Sequence, residues 1–134
     1  MEPTIVVVAE DVTARIIAET LLKTQGFRVD APVSEADTRR AIHKPGLGVL
    51  VVDVGAPCPD GSNFLAGLRR HLDSLPPTAQ PRVLVVLNGD PEAERAAHRL
   101  GADIVLHRPL SPAQFLTSVE HLLQMPRRPA AVAA

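Results

Sequence analysis

The chain has 134 residues, 46% of them hydrophobic, which describes one globular domain with room for a buried core and excludes a disordered or fibrous chain. With three Phe, no Tyr, no Trp and a formal net charge of -1, the core is aliphatic. The chain lacks stacking platforms for flat cofactor rings and has no electrostatic footprint for DNA or RNA, so direct nucleic-acid binding is not expected. A single cysteine, Cys58, excludes an internal disulfide and sits in a Pro-flanked loop without an evident base. The opening residues Met1-Glu2-Pro3 carry neither the basic start nor the long apolar stretch of a signal peptide or membrane span. A soluble, cytoplasmic chain is expected.

In chain order, Ile5 to Val8 is an apolar run of strand length, followed by Ala14, Ile17, Ala18, Leu21 and Leu22 at helical spacing up to a Gly26 stop. Phe27 to Ala31 reads as a second strand, and Ser34-Glu35-Ala36-Asp37 has the shape of a capping box for a helix reaching Lys44, before Pro45-Gly46 breaks it. The third strand, Gly48 to Val52, is apolar without alternation, as in a strand buried on both faces, and it delivers Asp53 at its carboxyl end. After Asp60-Gly61 a helix carries Phe64, Leu65, Leu68 and Leu72. A connection with Pro76, Pro77 and Pro81 reads as a loop. Val83 to Leu87 is the fourth strand, Asp90-Pro91 caps and opens a helix closing at Gly101, and Ile104 to Leu106 is the fifth strand. Ser111-Pro112 repeats the cap-plus-proline start for a last helix with Phe115, Leu116, Val119, Leu122 and Leu123.

Five strands alternating with five helices imply right-handed crossovers and a single doubly wound α/β domain, a parallel sheet with helices on both faces. The domain is expected to span residues 1–125, with 126–134 a flexible tail or the start of a linker. In such a sheet the carboxyl ends of the first, third, fourth and fifth strands meet at one crevice. That brings together Glu10 and Asp11, Asp53, Asn88, His107 and Arg108. Clustered carboxylates repel unless a proton or a divalent cation sits between them, and all-oxygen ligation suits magnesium. Asp11 can equally be the cap of the first helix. His43, His71, His98 and His121 fall on helices as surface residues, and His107 alone approaches the crevice as a strand-end residue.

The order of these features resembles the receiver domain of two-component response regulators. The resemblance rests on Asp53 with Pro57 four residues on and Asp60-Gly61 at seven and eight, together with Gly101-Ala102-Asp103 and Arg108-Pro109, and it covers Thr4 to about Leu123. It implies a CheY-like, flavodoxin-like sheet in the order 2-1-3-4-5. It also implies a phospho-acceptor, Asp53, that takes its phosphoryl group from a phosphohistidine on a histidine kinase or phosphotransfer protein. Mg2+ would be held by Glu10, Asp53 and the Gly55 carbonyl, with Asp11 a candidate helper, and Arg108 would contact the phosphoryl group in place of the family's Lys. In the family a cis peptide precedes the proline at the Pro109 position.

The departures are specific. The family's first metal-site acid falls on Ala9, which weakens the implied Mg2+ site. The hydroxyl after the fourth strand falls on Val86 or Leu87, neither of which has one, with only the neighbouring Asn88 amide as a substitute donor. The aromatic switch position falls on Val105. Arg108 keeps the charge of Lys but not its shape.

Two readings follow. In the first, the domain is an atypical receiver that is a signalling module rather than an enzyme, with at most Mg2+-assisted transfer to its own Asp53. An effector domain would be joined beyond Ala134, the helix 4 and strand 5 face would signal, and a homodimer is allowed. In the second, a phosphorylation-independent pseudo-receiver serves as a protein-protein interaction module. A flavodoxin-like or phosphohydrolase enzyme is disfavoured, because Gly55 stands where the hydrolase wants a second Asp and the loop at Ala9-Glu10-Asp11 lacks the hydroxyls of a flavin site.

Overall fold

A computed structural model describes residues 2–56 and 60–125. Pro57, Cys58 and the 126–134 tail, each given a reading above, lie outside the described residues. Strands and helices alternate along the chain: β1 (Thr4–Ala9), α1 (Val12–Thr24), β2 (Arg28–Asp30), α2 (Glu35–His43), β3 (Leu47–Asp53), α3 (Asp60–Asp73), β4 (Arg82–Leu87), α4 (Pro91–Leu100), β5 (Ile104–His107) and α5 (Pro112–Gln124). The strands form one parallel sheet in the order β2-β1-β3-β4-β5, the doubly wound, flavodoxin-like arrangement.

Alternation along each strand divides the core between the two sheet faces. Val6, Val8, Leu50, Val52, Val83, Val85 and Leu87 pack beneath α2, α3 and α4. Ile5, Val7, Val49, Val51, Leu84 and Val86 pack beneath α1 and α5 against Leu22, Phe115, Val119 and Leu122. Each fully buried aliphatic side chain of this kind contributes about 1.5–3 kcal/mol. Central β3 therefore carries the unbroken apolar run, because neither of its faces meets water. Phe115 is buried, and Phe27 and Phe64 pack on the core from its edge.

The helix ends follow local chemistry. Asp11, Ser34, Asp90 and Ser111 are N-caps whose side chains accept backbone N–H groups from Ala14, Asp37, Glu92 and Gln114. At the end of α1 the cap residue is Gln25, with Gly26 one position beyond at φ +87°. The N–H groups of Gly26 and Phe27 close onto the carbonyls of Lys23 and Leu22, the paired bonds of a Schellman motif. The Gly101-Ala102-Asp103 segment joins β5 to β4. Asp103 N–H donates to the Val83 carbonyl and its carboxylate accepts the Val83 N–H, both at 2.8 Å.

Two expectations need correction here. The proline-rich connection read as plain loop contains a turn of 3-10 helix, Pro77–Ala79, tied by Gln80 to the Leu72 and Leu75 carbonyls. His71 is half-buried rather than freely exposed; its side chain is 15% exposed and faces Glu35 of α2 across 3.8 Å.

Candidate functional site

Register fixes what meets at the carboxyl rim. Ala9 and Val86 flank Asp53 on the neighbouring strands, and Leu87 is paired with His107. Glu10, one residue past β1, reaches across to the loop after β3, where its Oε1 accepts the N–H groups of Gly55 and Ala56 at 3.0 and 3.2 Å. Arg108, one residue past β5, points back over the sheet. Its Nη1 donates to Asp53 Oδ2 at 3.0 Å, its Nη2 to the Val54 carbonyl at 2.7 Å, and its Nε to Asn88 Oδ1 at 2.6 Å. The Arg108–Pro109 peptide bond is cis.

Asp53 is 14% exposed at its side chain. Its Oδ1 is buried and, among the described residues, has no hydrogen-bond partner. Burial pushes the carboxyl above the ordinary aspartate value; Arg108 opposes that shift, and the nearby Asp11 and Glu10 add to it. The chain thus holds a carboxylate with one oxygen neutralised by a guanidinium and the other unsatisfied beside two further acids.

Gly61 explains why the loop lies so close. A Cβ there would stand 2.5 Å from the Ala56 carbonyl oxygen and 2.9 Å from Val54 Cγ1, so only glycine lets the start of α3 pack under residues 54–56.

The candidates divide as follows. Glu10, Asp53, Gly55 and Arg108 are brought together in one crevice, and Asp11 lines it while capping α1. Val86 lines its floor, whereas Leu87 points to the opposite core, and Val105 packs against that same core. His107 leaves the crevice, because its Nε2 bonds Glu94 on α4 at 2.9 Å. Asn88 is not held out as a donor for an incoming group: Nδ2 donates to the Gly55 carbonyl at 3.1 Å while Oδ1 holds Arg108. The sequence named Asn88 but could not give its partners. Its signal was a polar residue one step past a buried strand, on the same face as Val86. A groove of about 720 Å3 runs from these residues between α1 and α5, lined by Ile17, Leu21 and Phe115 among others. Ala14 and Ala18 also line it.

The residues fit the Mg2+ that receiver domains generally bind for phosphorylation. An unpartnered buried carboxylate oxygen, a second carboxylate and a backbone carbonyl line the crevice, oxygens of the kind such an ion takes. The set has one carboxylate fewer than the family pattern, since Ala9 stands beside Asp53.

The comparisons agree with the fold. The chain is 31% identical over 121 residues to the transcriptional regulatory protein GltR of Pseudomonas aeruginosa, covering 90% of this chain and 48% of GltR. It is 28% identical over 132 residues to protein PetR of Rhodobacter capsulatus, covering 98% and 52% respectively. The chain therefore spans about half the length of these relatives. Among solved structures it superimposes on a response regulator from Thermotoga maritima with a TM-score of 0.74 and 20% identity, covering 93% of this chain and all of that one (100%). A response-regulator signal receiver domain from Bermanella marisrubri gives a TM-score of 0.74 at 23% identity, covering 92% and 100%. No family model matches the chain. With this sheet order the chain has the fold of response-regulator receiver domains, and in sequence it is similar to response regulators of two-component signalling. Among the described residues no helix is long and apolar enough to cross a membrane.

Proposed function

We propose that Asp53 is the phospho-acceptor of an atypical receiver, taking a phosphoryl group from a phosphohistidine of a histidine kinase or phosphotransfer protein. The observation that carries this reading is the division of labour at the Asp53 carboxylate. Arg108 holds Oδ2, which leaves Oδ1 as the one oxygen without a partner among the described residues. In the transfer an Asp53 carboxylate oxygen forms the new O–P bond as the N–P bond of the phosphohistidine breaks, and the departing nitrogen keeps the bonding electron pair while the imidazole retains the proton on its other ring nitrogen. Little covalent machinery is needed, since positioning and charge neutralisation account for most of such a step.

Glu10, Asp53 and the Gly55 carbonyl would hold Mg2+, which when bound neutralises charge on the phosphoryl oxygens. Arg108 sits within reach to contact the transferred group through its planar fork. With aliphatic Val86, Leu87 and Val105 at the family's switch positions, output takes a route other than a hydroxyl-aromatic relay. An effector domain C-terminal to residue 134, a cytoplasmic setting and a homodimer all belong to this proposal.

The test is incubation of the protein with Mg2+ and a small phosphodonor beside Asp53→Ala, read by intact mass. The wild type should gain one phosphoryl group and the variant none. A wild type that stays unmodified favours the second reading, a phosphorylation-independent pseudo-receiver acting as an interaction module. That reading is supported by one observation: Glu10, the Gly55 carbonyl and Asp53 Oδ2 already have partners within the chain.

A further inference from the structure

The crevice contains an arrangement that the metal reading does not use. Gly55 is gripped from both sides: Glu10 Oε1 takes its N–H at 3.0 Å and Asn88 Nδ2 donates to its carbonyl at 3.1 Å. The same Asn88 amide accepts from Arg108 Nε at 2.6 Å, while the far edge of that guanidinium holds Asp53 Oδ2 and the Val54 carbonyl. One amide therefore joins the β3 loop, the end of β4 and the cation past β5 into a closed chain of hydrogen bonds.

We infer that Asn88 is a positioning residue that latches this site shut, competing with a divalent cation for the Gly55 carbonyl and holding Arg108 on Asp53. The inference rests on the proposed donor set of Glu10, Asp53 and Gly55. A carbonyl has two lone pairs, so bonding by Asn88 does not block the oxygen outright. The amide hydrogen does place partial positive charge on the side of the oxygen that a cation would share. The guanidinium, a full positive charge 3.0 Å from Asp53 Oδ2, acts against a second cation on the same carboxylate. Asn88 must release the Gly55 carbonyl before that oxygen ligates freely, and once it turns away Arg108 loses its Nε partner. Arg108 is then free to leave Asp53 Oδ2 and face an incoming anion. Release of the carbonyl and release of the cation are thereby coupled through a single side chain. Serine at this position is too short to span both partners, and alanine has neither a donor nor an acceptor.

The experiment is a Mg2+ titration of the full chain by amide NMR shifts at Gly55 and Ala56, on wild type, Asn88→Ala and Asn88→Ser, with thermal melts confirming that each is folded. Both variants should bind Mg2+ about fivefold more tightly than the wild type, the change that loss of one typical hydrogen bond allows. Structural damage would weaken binding, so the predicted direction separates a latch from a merely structural role. Unchanged or weaker affinity in both folded variants overturns the latch while leaving the donor set standing. An absence of Mg2+-dependent shifts in all three proteins overturns the donor set and the latch with it.

Discussion

At the scale of single residues, the physics concentrates on Asp53. Its folded-state pKa lies above the ordinary aspartate value, chiefly through burial. The fold therefore favours the protonated carboxyl. The stability this contributes is fully present below the ordinary value of about 3.9 and is lost as pH rises through the raised one. Asp53→Asn, which imitates the neutral form and still offers an oxygen to Arg108, should accordingly melt above the wild type at neutral pH. The gap should close as pH falls below the aspartate range. Melting curves across that range check both statements, and a gap that widens in acid would contradict the assigned sign. Gly61 gives a second test. Placing a methyl group 2.5 Å from the Ala56 carbonyl requires the loop to move, so Gly61→Ala should lose about 1–3 kcal/mol in denaturant unfolding. It should also perturb the amides of Gly55 and Ala56.

At the scale of elements, most of the fold was legible in the sequence because each strand and cap is encoded locally. Val49 to Val52 could only be a strand buried on both faces, and Asp90-Pro91 and Ser111-Pro112 announce helix starts by the chemistry of N-caps. The misreadings share a cause, since each turns on local geometry or on contacts between elements that the nearby sequence does not encode. Pro77 signals a break but not the 3-10 geometry that follows. His71 lies at the edge of a helical face, and only the packing of α2 against α3 covers it. His107 turns to Glu94, and Asn88 to Gly55 and Arg108, through contacts between elements far apart in the chain. Asp11 is the opposite case, a residue whose two open roles the structure narrows by using its carboxylate as a cap. Replacing it with alanine should cost about 1 kcal/mol of stability. Phosphoryl incorporation at Asp53 should persist, measured on the same preparation by unfolding and by intact mass. Loss of incorporation with normal stability would instead make Asp11 part of the site.

At the scale of the whole molecule, two core layers share one sheet, so the domain is expected to unfold as a unit. Leu84, fully buried beneath α1 and α5, belongs to one layer only. Leu84→Ala should nevertheless lower global stability by about 2–5 kcal/mol in a single transition seen alike by circular dichroism and by amide exchange. Separate transitions for the two faces would contradict that coupling. The same sheet carries the functional argument, because the register that seats Ala9 and Val86 beside Asp53 also decides which groups reach the rim. In the proposed reading, the aspartate at the acceptor position stands among substituted neighbours: Ala9 in place of an acid, Val86 without a hydroxyl, and Arg108 held by Asn88. The most direct test of whether that rim still takes a cation and an anion together is an amide NMR spectrum with Mg2+ and beryllofluoride added to the wild-type chain. Shifts centred on Glu10, Asp53, Gly55, Ala56 and Arg108, and abolished by Asp53→Ala, are predicted. A spectrum unchanged at those positions, or one altered equally in the variant, would contradict the account.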